Sequence, residues 1–334
     1  ADSTGGRQYN AVASSAIGVT TGWIFSGSVP GQTYYWTGLI DKNWHIASNW
    51  TTDLVTPASC VPGPADSVVF NDVQMNALND TVVIYRNAFC RVMDWSGIVT
   101  RTPALLIEAD LQISDDLIMD ENLEFGYGGG FSPNDLNPPT LILAPAFSQA
   151  SFNPSCSRYG VNTVFAGLSL SDTLFMTDTL LTDSTVSVVI KSGSFMSQQF
   201  PLTVGILKTE TVSSKIVDLK NSDISIKYSA VFQDASILAL NADSTRIVMP
   251  GNKSFISYFD GGNQRFFDFE MITLYSDSAG IFYNGQVFGS DTFRIFTVHP
   301  DMHLYFEAGM EQTFDSAFIA SGTCQELIYI ASTE

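Results

Sequence analysis

The side chains that could do chemistry in this sequence are few and widely spaced. The three histidines are His45, His299 and His303; the four cysteines are Cys60, Cys90, Cys156 and Cys324, with no CxxC pair among them. Zinc centres draw on closely spaced Cys and His, so none is expected. No GxSxG, HExxH, P-loop or GxGxxG occurs in a strand-to-helix setting, which removes the common nucleophilic, metalloprotease and nucleotide-binding signatures. The glycine run after Tyr127 lies in negative surroundings that would not cradle phosphate, and reads as a loop. Asp115 and Asp116 are an adjacent carboxylate pair, but neighbours on a strand point to opposite faces and cannot flank one glycosidic bond. No cofactor is called for. Asp115, Asp116 and Asp120 are the candidates for bridging by calcium, with solvated turns as the plainer reading.

The charge balance narrows the partners. Lys and Arg total 15 against 34 Asp and Glu, a net charge of −19 and a pI near 4.2. Such a chain repels a phosphate backbone and has no basic stripe to release counterions, so nucleic acid is not expected as a partner. Hydrophobic residues make up 45%, enough for a core. No run of about 18 apolar residues exists, so a membrane-spanning helix is not expected. An even number of cysteines in an acidic, lysine-poor chain suits an oxidising, extracellular setting. The opening ADSTGGRQYN has no basic-then-apolar leader, as expected of a chain whose signal peptide has been removed or of a piece of something longer; the end stops within a strand-like pattern, which favours the fragment.

The elements that would position any site are strands. Short alternating runs rich in Val, Ile, Phe and Thr recur between Gly, Asn, Asp, Ser and Pro, as in Asp66-Ser-Val-Val-Phe, Thr81-Val-Val-Ile-Tyr and Val186-Ser-Val-Val-Ile. All five tryptophans (Trp23, Trp36, Trp44, Trp50, Trp95) precede residue 100, and a Gly/Pro-rich loop follows from Gly126. Apolar runs begin at Lys215, Ser236, Arg265, Phe293 and Ala317, steps of 21, 29, 28 and 24 residues by subtraction. Coils of roughly 20–30 residues are what a β-solenoid needs. The expected fold is therefore all-β: a right-handed parallel β-helix over 98–334, a Trp-rich capping module over 31–97, and an N-terminal extension or end of a preceding unit over 1–30. The alternative is β-sandwich repeats. Val217, Leu219, Ile224, Ile226, Leu238, Leu240, Ile247, Ile272 and Ile295 should point inward. Trp36, Trp44 and Trp50 share the parity that would put them on one face of an extended segment, as a hydrophobic cap in preference to a sugar-stacking platform.

The segment Tyr35-Trp-Thr-Gly, Asp41-Lys-Asn-Trp, Asn49-Trp, then Cys60-Val-Pro-Gly-Pro-Ala-Asp-Ser-Val-Val-Phe, resembles a module of large secreted surface proteins of Bacteroidota, the adhesins and gliding-motility proteins exported by the type IX secretion system. Cys90-Arg-Val-Met-Asp-Trp-Ser-Gly looks like the element that follows in them, and Lys215-Ile-Val-Asp-Leu, Ser244-Thr-Arg-Ile-Val-Met and Phe259-Asp-Gly-Gly-Asn look like their coil repeats. The resemblance implies a cell-surface, non-enzymatic segment for attachment or as a stalk, with an unknown surface or glycan ligand and the type IX machinery as its partner during export. A Cys60–Cys90 disulfide is expected, closing a loop of about 30 residues and worth about 3–4 kcal/mol; Cys156 and Cys324 are left open. Ser67, Thr81, Thr173, Thr179, Ser184, Ser244, Ser278, Thr292 and Ser316 follow Asp in a pattern that resembles the O-glycosylation acceptors of the same phylum, although Asp-Ser and Asp-Thr are also ordinary turn pairs. A glycan-binding module and a β-helix polysaccharide enzyme are the competing functions. Against the enzyme, Asn221-Ser-Asp223 follows Asp115-Asp116, whereas the hydrolases carry NxD before DD, and GHG and RxK are missing.

Overall fold

In the computed structural model the described residues are 31–75, 80–133, 135–145, 149–210, 213–232, 238–251, 290–300, 302–322 and 327–332, with the strand segments 9–12, 23–26, 258–259, 265–273 and 283–287. They form an all-β solenoid of about nine turns. Alternation sets the strands: Ser67–Asn71, Ala104–Ile107 and Thr173–Met176 each bury every second residue, and the pleat aims those residues at one side.

Three faces make up the early coils. Thr81–Ile84, Ala104–Ile107, Glu124–Tyr127 and Arg158–Tyr159 stack in parallel as the first face. The second holds Ala88–Cys90, Leu111–Ile113, Leu141–Leu143 and Thr163–Ala166. Thr33–Trp36, Ser67–Asn71, Val92–Gly97, Leu117–Ile118, Gln149–Asn153 and Thr173–Met176 are the third. Further on, single long strands (Ser187–Met196, Leu202–Thr209, Asp223–Phe232) replace separate ones. The last coils carry Arg265–Thr273, Thr292–Val298 and Thr313–Ala320 in one ladder, and Tyr283–Val287, Met302–Phe306 and Tyr329–Ser332 in another. Among the described strands one pair is antiparallel, Thr33–Trp36 with Trp50–Thr51, so a Greek-key sandwich does not describe the chain.

In-register stacking turns every inward position into a column. Tyr34, Val68, Met93, Leu117, Phe152 and Met176 are successive partners in one buried column; Cys90, Ile113, Leu143, Phe165 and Ile190 form another. Each apolar side chain is covered by the one above it, which removes its surface from water at about 25 cal/mol per Å².

The Trp-rich stretch is continuous with this stack, since Ser67–Asn71 and Val92–Gly97 are already coils of the third face. Thr33–Trp36 is thus already part of the parallel ladder, which does not wait until residue 98. Trp36, Trp44 and Trp50 do not share one extended face: a turn and a single 3-10 turn, Ala47–Asn49, fold them onto each other edge-to-face at 5.0 and 4.7 Å. Asn49 fixes this turn from inside. Its Oδ1 accepts from the amides of Ile40 and Asp41, its Nδ2 donates to Asp41 Oδ1 and Asn43 O, and its own carbonyl accepts from Thr37 and Gly38.

Seven of the nine expected inward residues are buried; Ile272 lies outside the residues whose side chains are described. Ile295 is half-buried instead. The register of its strand against Thr313–Ala320 shifts between Phe293 and Ile295, so Phe293 and Phe296 take the inward positions. The expected 21-to-29-residue repeat also mixed two faces. Lys215 pairs with Leu238 on the third face, while Arg265 pairs with Thr292 and Phe293 with Phe314 in a separate ladder.

Two glycines make the long strands possible. Gly193, with φ +86°, bends Ser187–Met196 from one face to the next. Gly205 sits at the register shift of Leu202–Thr209, where an added Cβ would lie 2.2 Å from the carbonyl oxygen of Ser184 and 2.7 Å from that of Val186. Backbone cannot yield as a side chain can. Gly205→Ala should therefore destabilise the fold by about 1–3 kcal/mol, seen as a lower urea midpoint; an unchanged midpoint would contradict this packing.

Candidate functional site: a trough over the first face

The residues singled out from sequence do not converge. Among the described residues no group of three His, Cys, Asp or Glu side chains could hold a metal ion. Asp115 and Asp116 lie in the turn between Leu111–Ile113 and Leu117–Ile118, not on a strand. Burial, then the neighbouring Asp116 charge, raises the Asp115 pKa; Asp116 Oδ1 accepts from the Ser151 amide at 2.6 Å, and Asp120 accepts from Asn122. Asp116 and Asp120 thus serve backbone amides, in line with the plainer of the two readings given for these calcium candidates. His45 is half-buried and its pKa is lowered by that burial.

Cys60 and Cys90 are both free thiols, so the expected disulfide is not formed. Cys90 points into a core column above Ile113, where burial pushes its thiol far up. Cys60 lies in an exposed turn with its Sγ 3.0 Å from Tyr34 Oη. Cys156 is a half-buried free thiol, and Cys324 lies outside the described residues. Of the Asp-Ser/Thr sites, Thr179, Ser244 and Ser316 are exposed; Ser67, Thr81, Thr173, Ser184 and Thr292 are half-buried; Ser278 lies outside the described residues.

Acidic residues instead pin the corners of the coils. Asp66 accepts the amides of Gln32 and Gly63, Asp72 those of Val99 and Thr100, Asp110 that of Thr140, and Asp172 that of Ser169. Several of these bonds tie one coil to the next, and a carboxylate makes them charge-assisted.

One concave region brings polar, charged and aromatic groups together. On the outer side of the first face, a hollow of about 220 Å³ is bordered by Glu124, Gly126, Tyr127, Phe131, Arg158, Gly160 and Asp183. Glu124 and Arg158 are register partners on adjacent coils, and Asp183 sits on the next. Arg158 Nη1 donates to Glu124 Oε1 at 3.1 Å and its Nε to Asp183 Oδ2 at 2.9 Å. Both carboxylates, Asp183 before Glu124, raise the guanidinium pKa. All three groups are near half exposed, so the pairs add little stability. Residues 128–133 and 135–139 overhang the strands: Gly128 donates to Ile107 O, Asn162 Nδ2 to Pro133 O, and the Asn162 amide to Tyr127 Oη. Phe131 also borders a second hollow of about 480 Å³ with Glu108, Asp110 and Leu136. Sequence reading missed this trough. Its signal was the aromatic–glycine pairs Phe125-Gly126 and Tyr159-Gly160, which fall one coil apart.

Among the described residues no helix is long and apolar enough to cross a membrane. Compared with family models, with curated proteins and with solved structures, the chain gives no match.

The corner carboxylates predict a response to acid. Burial pushes the Asp72 carboxyl up, but the Thr100 hydroxyl, the Thr100 and Val99 amides and the Arg101 charge outweigh it and hold the pKa below its usual 3.8; hydrogen bonds from Thr56, Val55 and Thr51 hold Asp53 lower still. A depressed folded-state pKa contributes stability that is complete above the unfolded value and lost as pH falls through the folded one. Melting temperature should thus hold steady from neutral pH to about 5 and drop progressively below about 4, and Asp72→Asn should lower it at pH 7 while flattening the acid limb. A melting temperature that rises on acidification would contradict the role of these groups.

Proposed function

We propose that the chain is a rigid, non-enzymatic extracellular segment of a cell-surface adhesin or motility-associated protein, serving attachment or acting as a stalk. The observation that carries this reading is the use of the acidic residues: Asp66, Asp72, Asp110, Asp116 and Asp172 accept backbone amides at the coil corners. Acid–base chemistry needs titratable groups aimed at a common point. These groups are spread along the stack as fasteners, which suits a load-bearing rod. The resemblance of the Trp-rich stretch to Bacteroidota surface proteins supports the location and the type IX route. A net charge of −19 supports a surface that resists clumping. The exposed turn residues Thr179 and Ser244 are the preferred O-glycan acceptors; a host-purified mass equal to that of the bare chain would remove this part.

Deleting these residues in the native host tests the whole. Loss of surface attachment or motility with unchanged polysaccharide turnover is the expected outcome. Loss of a hydrolytic or lyase activity that the purified chain reproduces would contradict it.

A further inference from the structure

We propose that the trough over the first face binds one ring of a neutral saccharide, which deepens the attachment reading by giving it a ligand class. The floor is the first reason. Gly126 stacks beside Leu106 and under Gly160, and a Cβ added at Gly126 would meet nothing nearer than Leu106 Cδ2 at 3.8 Å. A Cβ added at Gly160 would meet Asp183 Oδ2 at 3.2 Å and Phe125 O at 3.4 Å before the Gly126 Cα at 3.8 Å, so the Asp183 carboxylate already stands over that position. The floor is therefore bare at Gly126, where no side chain stands, and is bounded by the Asp183 carboxylate over Gly160 on the next strand, roughly 4.8 Å away. A flat, partly apolar ring can approach there. The strand amides and carbonyls already serve the ladder, so the floor offers an incoming peptide no strand-like pairing.

The walls supply the rest of the match. On one side stands the Phe131 ring, 41% exposed, which offers an apolar face to the C–H face of a sugar. On the other, Glu124, Arg158 and Asp183 run up three successive coils. Their mutual bonds use Oε1 of Glu124, Oδ2 of Asp183, and Nε and Nη1 of Arg158. Among the described residues Glu124 Oε2, Asp183 Oδ1 and Arg158 Nη2 carry no such bond, leaving acceptors and a donor side by side. Vicinal hydroxyls both donate and accept, and a few polar groups of both kinds orient a sugar in a largely apolar hollow.

Charge selects the class. One guanidinium between two carboxylates leaves the wall net negative, and Glu108 and Asp110 line the adjoining hollow. Uronic acids, sialic acids and phosphates are disfavoured there.

The test titrates the purified chain by calorimetry with neutral hexasaccharides of glucose, mannose, xylose and N-acetylglucosamine, and with hexagalacturonate as the anionic counterpart. At least one neutral probe should bind, with Kd on the order of 1 mM, and hexagalacturonate should not. Gly126→Ala, whose Cβ meets nothing nearer than Leu106 Cδ2 at 3.8 Å, fills the floor and should weaken binding at least tenfold at unchanged melting temperature; Phe131→Ala, in the overhanging segment, should do the same. The proposal is overturned if no neutral probe binds, if Gly126→Ala binds like the parent, or if hexagalacturonate binds in place of the neutral sugars. Chromatography of the titrated sugar separates the two readings: cleavage would sink the non-enzymatic function while leaving the trough as the binding site.

Discussion

The structure depends on one constraint, that a stack of parallel strands has an end. Within the ladder each coil satisfies the backbone groups of its neighbours and covers their inward side chains, but among the described strands no parallel one pairs with the outer edge of Thr33–Trp36. An exposed parallel edge is a template for aggregation. Here Trp50–Thr51 turns back antiparallel onto Thr33–Trp36, and Trp36, Trp44 and Trp50 close over the Phe70 and Trp95 rings. Each edge-to-face aromatic pair adds about 0.5–1.5 kcal/mol. Asn49 makes the reversal possible, because its amide satisfies backbone groups that a tight, dry turn would otherwise orphan.

The same constraint accounts for the acidity. A coil of 20-odd residues needs sharp corners, and every corner frees backbone amides from the ladder. Asp accepts two of them at once and a hydroxyl besides, as Asp72 and Asp53 do. Asn71, Asn153 and Asn241 do the same work without charge. The acidity is thus partly architectural. A candidate recognition surface arises where the pattern lapses, at Gly126 and Gly160, two outward positions with no side chain.

Much of this was legible in the residues. Strand alternation fixes the inward sets, so Val217, Leu219, Ile224, Ile226 and Ile247 could be placed in the core from order alone. Phase could not. Bulges at Gly205 and near Ile295 flip the parity of a strand, and nothing in a run of apolar residues marks where the flip occurs. Repeat spacing misled because loops vary: Leu111 to Leu141 spans 30 residues and Ala88 to Leu111 only 23, by subtraction. Cysteine counting misled because Cys90 replaces an aliphatic residue in a core column. The trough was hidden because its members, Glu124, Arg158 and Asp183, meet only once three coils are stacked.

A stack held by neighbour-to-neighbour contacts and closed at its end by one buried amide should lose order locally when that amide is removed. Asn49→Ala would strand the Ile40 and Asp41 amides, at about 1–3 kcal/mol each. The direct measurement is hydrogen–deuterium exchange of this variant against the parent. Protection should fall over 33–36, 50–51 and 67–71, less over 92–97, and remain at parent levels over 202–209 and 223–232. Protection unchanged at the capped end, or lost evenly along the whole chain, would contradict the account.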